Sequence, residues 1–282
     1  MTNNWRFIYN KPMDVYSNMA FDEALFQGYY AGCSKPTLRV YSWSNPSFSL
    51  GYFQDAGKEL DLKKCAKENI DFVRRITGGG IIFHDQEITY SLICSREDLK
   101  ILDSVAGSFK KICSFLINFY KSLGLDAKFA VDADDSRRLT EPCAFCFASK
   151  EKYDIVIDKK KIGGSAQKRR RNVIFQHGSI PLWLDIGKPS VFLNKKLDKN
   201  ITQEICCLQD FLDKMPCAEE LTDLLKKSFE QSFGLCLKEA GLNDKEKLFY
   251  QDLKEKKYKT KKWNIIQRNS PPLVGGVRGG VH

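Results

Sequence analysis

The sequence predicts an α+β protein: a mixed, largely antiparallel sheet flanked by helices. Strand-like and helix-like segments are interleaved without strict strand–helix–strand alternation. Where connections between strands are visible, they are short polar turns of the hairpin type. One segment, Ser104 to Leu123, carries a clear helical stripe: Val105, Phe109, Ile112, Leu116, Phe119 and Leu123 step by three and four residues.

In chain order, Ser17 and Asn18 precede a helix-forming run with acids in its first turn, which reads as a helix start. Thr37 to Trp43 and Ser47 to Gly51 read as strands, and residues 59–69 as helical. Phe72 to Arg75 is a short strand leading into glycines. Ile81 to His84 and Thr89 to Cys94 are strands joined by the turn Asp85-Gln86-Glu87. After the 104–123 helix come an aspartate-bearing loop (Asp132, Asp134, Asp135) and three strands, 153–157, 161–170 and 173–182. The spacing predicts helices over 202–214, 218–233 and 244–258. Residues 1–262 are expected to fold as one domain, and 263–282, ending in SPPLVGGVRGGVH, to form a disordered Pro/Gly-rich tail.

The composition is that of a globular protein, with 43% hydrophobic and 28% charged residues in 282. This excludes a wholly disordered chain and a collagen, and no apolar run is long enough to span a bilayer. The N-terminus lacks an apolar h-region, so a cytoplasmic location is expected. Lysine and arginine exceed the acids by 45 to 35, giving +10, which favours acidic partners as well as solubility. The ten cysteines are scattered and mostly beside apolar residues, the pattern of buried free thiols in a reducing compartment.

Four stretches carry candidate chemistry. In Arg74-Arg75-Ile76-Thr77-Gly78-Gly79-Gly80, three glycines allow close backbone approach to a ligand, and the arginines suit an anion. The same residues suit a glycine turn beside solvated arginines. The stretch continues Ile81-Ile82-Phe83-His84-Asp85, whose apolar side chains are expected to alternate faces. Cys143-Ala144-Phe145-Cys146 offers a thiol pair, or a single nucleophile if a partner holds it as thiolate. No metal site is expected, because zinc needs four ligands and the chain has three histidines. Lys161, followed by Gly164-Ser165-Ala166-Gln167, is such a partner, since a nearby ammonium lowers a thiol pKa. It also reads as part of a solvated basic hairpin running from Lys159 to Arg171. Gln176-His177-Gly178-Ser179 is the fourth. A lone strand histidine is commonly structural, but the following glycine hints at close packing.

Taken together and in order, these stretches resemble the biotin/lipoate protein ligase family over about residues 5–260. They are more narrowly similar to its lipoate-ligase-A-like branch, which includes the octanoyltransferases. The resemblance rests on Asn18 to Ala24, Leu38 to Trp43, Ser49 to Gln54, Arg-Arg-x-x-Gly-Gly-Gly with His84-Asp85, Lys161 with Gly164-Ser165-Ala166-Gln167, and Gln176 to Ser179. It implies the fold of biotin ligases and class II aminoacyl-tRNA synthetases. It also implies attachment of an acyl group to a lysine of a carrier domain. Arg74, Arg75, Gly78, Gly79, Gly80, His84, Gly164, Ser165, Ala166, Gln167, His177 and Gly178 would line the acyl site, and Lys161 would contact the acyl carbonyl.

Two chemistries branch from this resemblance. The octanoyltransferase route needs no cofactor: Cys146 takes octanoyl from acyl carrier protein as a thioester, and a lysine of a lipoyl-carrier protein takes it on. That acceptor would be a glycine-cleavage H protein or a dehydrogenase E2 lipoyl domain. The ligase route activates free lipoate with ATP and Mg2+; a lipoyl amidotransferase acting between carrier proteins is a third reading. Cys146-Phe147 upstream of Lys161, and Glu87-x-Thr89-Tyr90-Ser91 after His84-Asp85, look like the octanoyltransferases. Gly78-Gly79-Gly80 is the ligase form, although no stretch reads as the ligase's C-terminal accessory domain. Neither nucleic acid nor membrane is expected as a partner. An RNA-binding reading of the basic hairpin and 11 tyrosines explains neither the glycines nor the Lys161 strand.

Overall fold

A computed structural model of the chain describes residues 5–101, 104–133, 152–197 and 201–265. The elements begin with β1 (Trp5–Tyr9), α1 (Val15–Tyr30), β2 (Thr37–Tyr41), β3 (Ser47–Leu50), α2 (Ala56–Glu59), α3 (Leu62–Lys67) and β4 (Asp71–Arg74). They continue with β5 (Ile82–His84), β6 (Glu87–Ser95), α4 (Val105–Ser122), β7 (Lys128–Phe129), β8 (Ile155–Ile157), β9 (Lys160–Ile162), β10 (Gly164–Arg170) and β11 (Val173–Pro181). The rest are α5 (Gly187–Ser190), α6 (Ile201–Glu204), β12 (Ile205–Cys206), α7 (Ala218–Phe233), β13 (Leu237–Glu239), α8 (Asp244–Leu253) and α9 (Lys261–Ile265).

The strands form a six-stranded sheet in the order β10-β11-β6-β2-β1-β13, a four-stranded sheet β12-β9-β8-β7 and a three-stranded sheet β4-β3-β5. In the large sheet each neighbouring pair along β10-β11-β6-β2 is antiparallel, while β1 runs parallel to β2 and to β13. The mixed, largely antiparallel class is therefore as the sequence predicts. Helices α4 and α7 cover one face over a core that includes Tyr90, Leu92, Phe115, Phe119 and Phe229. Helix α1 covers the other, over a core that includes Ala24, Phe26, Val173 and Phe175. Among the described residues no helix is long and apolar enough to cross a membrane.

Several boundaries differ from the sequence reading. Helix α1 starts three residues earlier, because Asp14 rather than Ser17 caps it: Ser17 N donates to Asp14 Oδ1 at 2.8 Å. The 59–69 helix is two short ones separated by the extended Leu60. The 81–84 and 89–94 strands are not a hairpin, since β5 joins the small sheet and β6 the large one. Ile81, Ile82 and Phe83 do not alternate between faces in exposure. All three are buried with Phe48, Leu50 and Phe192 in the core of the small sheet. The 202–214 helix is also wrong: α6 ends at Glu204, and β12 follows because Ile205 and Cys206 pair with Lys161 and Ile162. Sequence reading misses β1, β7 and β13. Residues 263–265, assigned to the tail, complete α9, and Asn264 is buried.

The 161–170 strand is broken at Gly163, which passes the chain from one sheet to another. Its φ is +80°, and a Cβ there would lie 2.1 Å from the carbonyl oxygen of Ser179. Neither condition tolerates a side chain. Gly163→Ala is expected to cost about 2 kcal/mol or more in urea unfolding. Gly124→Ala, at φ +79° with open space around it, should cost only about 1 kcal/mol. Equal losses would contradict the close approach at Ser179.

Candidate active site

The site grows out of strand alternation. On β10, Gly164, Ala166, Lys168 and Arg170 pair with Ser179, His177, Phe175 and Val173 of β11, on the α1 side of the sheet. Ser165, Gln167 and Arg169 point to the α4 side. There Ser165 Oγ and Tyr90 Oη lie 2.9 Å apart, Gln167 Nε2 donates to Gln176 Oε1 at 2.9 Å, and Arg169 bonds to Ser108. Gln176 Nε2 reaches Tyr90 Oη at 2.8 Å and Cys113 Sγ at 3.3 Å. Burial pushes the Cys113 thiol up to about 11. The four residues after Gly163 are thus split between two environments, and the Ser165 and Gln167 side chains belong to the α4 packing.

On the α1 side, a buried polar layer crosses three strands. Asp22 of α1 accepts from Arg39 Nη1 at 2.6 Å, Tyr41 Oη at 2.9 Å and Ser91 Oγ at 2.7 Å. His177 Nδ1 lies 3.7 Å from the same carboxylate, and its Nε2 is 2.7 Å from Thr77 Oγ1. A second array runs parallel to it. Ser49 Oγ is 2.7 Å from His84 Nε2, and His84 Nδ1 is 2.9 Å from Glu87 Oε1. Glu87 also accepts from Trp43 Nε1, Thr89 Oγ1 and Ser179 Oγ, while the Trp43 ring stacks on His84 at 3.8 Å. The two hydroxyl–imidazole–carboxylate arrays share one cation: Arg75 Nε donates to Thr77 Oγ1 at 3.2 Å and Arg75 Nη1 to Ser49 Oγ at 3.2 Å.

Arg75 also shapes the glycine turn. Its Nη2 donates to the carbonyls of Gly78 at 2.8 Å and Gly80 at 2.7 Å. Gly79, at φ +92°, packs its carbonyl against Gly51, where a Cβ would sit 1.9 Å from that oxygen. Gly79 is exposed, and Gly78 and Gly80 half-exposed. The turn therefore presents backbone, not side chains, beside Thr77 and His177. Arg74 behaves differently from the anion-binding residue expected. It is fully buried and donates to the carbonyls of Gly51, Tyr52, Gln54, Trp263 and Asn264.

Lys161 is buried on β9, with its ammonium 2.7 Å from Asp154 Oδ2. A methyl group on Gly164 would lie 3.8 Å from Nζ, so the ammonium sits over the α1-side face of β10, where Ser179 and His177 also point. The structure thus brings together Lys161, Gly164, Ala166, His177, His84 and the 78–80 turn. Cys143 and Cys146 lie outside the described residues. Sequence reasoning missed Asp22, Arg39, Ser49, Thr77 and Asp154 as members of the site. The alternation Arg39/Tyr41 against Leu38/Val40, and Glu87/Thr89/Ser91 against Ile88/Tyr90/Leu92, is the signal that could have found the polar face.

Fold and site together define a mixed-sheet protein in which a backbone-lined glycine turn lies against a sheet face that carries a buried lysine and a buried polar layer. Residues 14–230 match the family model of the lipoyl protein ligase A/B catalytic domain, and the chain belongs to that family. Among its relatives is octanoyltransferase LipM of Kyrpidia tusciae, 36% identical over 92% of this chain and 98% of that one. Octanoyltransferase LipM of Bacillus subtilis is 34% identical over 92% and 97%. A solved lipoate-protein ligase A bound with ATP superposes with TM-score 0.77 at 27% identity, covering 93% of this chain and 98% of the other. A bi-partite lipoate protein ligase of Thermoplasma acidophilum, described with its E2 lipoyl domain, gives 0.77 at 25% identity, over 96% and 99%.

Burial alone would raise the carboxyls of Asp22 and Glu87. The groups facing them, the Arg39 guanidinium first for Asp22 and the His84 ring for Glu87, hold both below the usual carboxylate range. Burial lowers His177, against the pull of Asp22. A depressed histidine lets the unfolded chain take up a proton first, so stability falls as pH drops below about 6.5. The depressed carboxyls add a further loss below about pH 4. Urea midpoints are expected to fall between pH 7.5 and 5.5 in the wild type, and less so in His177→Gln. An equal fall in the variant would show that His177 is not the titrating group.

Proposed function

We propose that this protein is an octanoyltransferase of protein lipoylation, with Cys146 as nucleophile. Acyl carrier protein is the donor and a lysine of a lipoyl-carrier protein the acceptor. The observation that carries the reading is similarity to octanoyltransferases LipM along nearly the whole chain. The Lys161 ammonium over Gly164, beside a backbone-lined turn, supports it.

The chemistry balances without ATP. The Cys146 thiolate attacks the octanoyl thioester carbonyl, the acyl C–S bond to the carrier breaks, and the carrier thiolate leaves and takes up a proton. The neutral acceptor amine then attacks the Cys146 thioester carbonyl, the acyl C–S bond to Cys146 breaks and the amide forms; the amine gives up one proton, matching the one taken up by the carrier thiolate, and Cys146 returns as thiolate. Thioester exchange is nearly neutral in free energy, and the final thioester-to-amide step drives the sequence forward. Lys161 acts as a donor to the acyl carbonyl as negative charge develops on its oxygen. Its ion pair with Asp154 fixes the ammonium in place but shares its charge, so its pull on a thiol is weaker than that of a lone lysine. His84, Arg75 and His177 hold the turn and the sheet face, and the backbone of the 78–80 turn lines the acyl chain. Dehydrogenase E2 lipoyl domains or a glycine-cleavage H protein supply the acceptor lysine. The net charge of +10 speeds encounter with acidic carriers.

Purified protein with octanoyl-carrier donor and apo-lipoyl acceptor, without ATP, should octanoylate the acceptor. Cys146→Ala should abolish transfer and Cys143→Ala leave it. Lys161→Ala should lower the rate about 100-fold or more. Transfer that requires ATP and survives Cys146→Ala would replace this reading with a lipoate ligase, the activity of the solved ATP-bound relative.

A second measurement concerns the basic surface. The initial rate at sub-saturating carrier should fall steeply between low and physiological salt. A salt-independent rate would rule out charge-guided encounter.

A further inference from the structure

The family model ends at residue 230, yet the chain from Asn243 to Ile265 is built into the site's scaffold. Helix α8 packs along α1. A short π-helical segment, Lys254–Tyr258, follows it. From there Lys257 Nζ reaches Glu23 Oε2 at 2.6 Å, and Tyr258 Oη donates to the same oxygen at 2.5 Å. Glu23 is the neighbour of Asp22, so this contact pins the stretch of α1 that faces His177.

Helix α9 then closes on Arg74. Arg74 Nε donates to Trp263 O at 3.0 Å and Nη2 to Asn264 O at 3.1 Å. The contact is returned from the other side: Trp263 Nε1 donates to Arg74 O at 2.7 Å, and Asn264 Oδ1 accepts from Arg74 N at 3.0 Å. Asn264 Nδ2 donates to Tyr258 O at 2.7 Å, and Lys257 Nζ lies 3.8 Å from the Trp263 ring centroid. With its backbone and Nε so held, Arg74 directs Nη1 at the carbonyls of Gly51, Tyr52 and Gln54. That loop touches the glycine turn directly, through Tyr52 N to Thr77 O at 2.8 Å and the Gly51–Gly79 approach.

We infer that Trp263 and Asn264 are positioning residues of the acyl site: acting through Arg74, they set the 51–54 loop and hence the 78–80 turn. The functional part of this inference rests on the octanoyltransferase reading, in which that turn lines the acyl chain. A buried guanidinium bonded to five carbonyls leaves little freedom for any one of them to move alone. Loss of the two α9 carbonyls and of the Trp263 and Asn264 side-chain contacts would release the whole set. A displacement of about 1 Å at a substrate wall is enough to cost about 100-fold in rate.

The test uses the full chain, three variants and one control variant. Trp263→Phe keeps the ring and removes the donor to Arg74 O. Asn264→Ala removes the acceptor for Arg74 N, and Asn264→Asp restores an acceptor there. Leu225→Ala on α7 serves as a control, because it loosens the core beneath α4 and leaves the C-terminal segment and Arg74 untouched. Two readouts are taken: amide exchange of peptides covering 50–55 and 75–80, and steady-state kinetics with the octanoyl donor. Trp263→Phe and Asn264→Ala should raise exchange in those peptides and leave β6 and β11 protected. They should lower kcat/KM for the donor about 10- to 100-fold. Asn264→Asp should recover most of the loss, and Leu225→Ala should lower the melting temperature with kcat/KM unchanged. Unchanged exchange at 50–55 and 75–80 overturns the inference whatever the kinetics. So does raised exchange with unaltered kinetics. A wild type that transfers no octanoyl group sinks the functional reading instead, and the exchange data still judge the clamp.

Discussion

The Arg75 guanidinium is the cation on which this site depends. It is buried, and its donors are divided between two hydroxyls and the carbonyls of Ser49, Gly78 and Gly80. A charge removed from water is tolerated only when its donors are satisfied. That requirement forces the small sheet, the glycine turn and the β11 histidine into one arrangement. Thr77 and Ser49 are held in place by Arg75 on one side and by His177 and His84 on the other. The carboxylates of Asp22 and Glu87 then supply the negative charge that makes so polar an interior stable. The geometry of this polar layer follows from how one buried cation has its donors satisfied.

The polar layer also explains why helix α1 is buried nearly all round. Asn18, Asp22 and Glu23 are all inside, yet each is bonded: Asn18 to Arg39 and to main-chain carbonyls, Asp22 to Arg39, and Glu23 to Lys257 and Tyr258. An amphipathic stripe is therefore weak in this helix, in contrast to α4, whose apolar residues follow the helical period.

Much of the architecture could be read from the chain because periodicity is a local signal. The α4 stripe and the 173–181 strand were legible to within a residue or two. The type of fold followed from the mixture of elements. What failed was non-local. Nothing near Ile205 says that it pairs with Lys161, so a strand read as helix. Nothing in the run from Ile82 to Thr89 says that its two strands enter different sheets. Among the candidate residues, His177, Lys161 and the glycine turn stand out in the sequence because each is an unusual residue type in its local setting. Arg74 was assigned the wrong surroundings, because its partners come from the 51–54 loop and from α9, some 190 positions away. Asp22 and Ser49 were overlooked, because a capped helix and a strand already accounted for them locally.

The alternation along β10 separates two kinds of constraint within seven consecutive residues. Odd-numbered side chains answer to Ser108, Cys113 and Tyr90 beneath α4. Even-numbered ones answer to the α1-side face, and to Tyr52 and Tyr30, over which Lys168 and Arg170 lie. Substitution at 166 or 168 can therefore change the face shared with His177 while the helix packing behind the strand stays intact. A strand built in this way can vary on one side, one residue at a time, without passing through unfolded intermediates in sequence space.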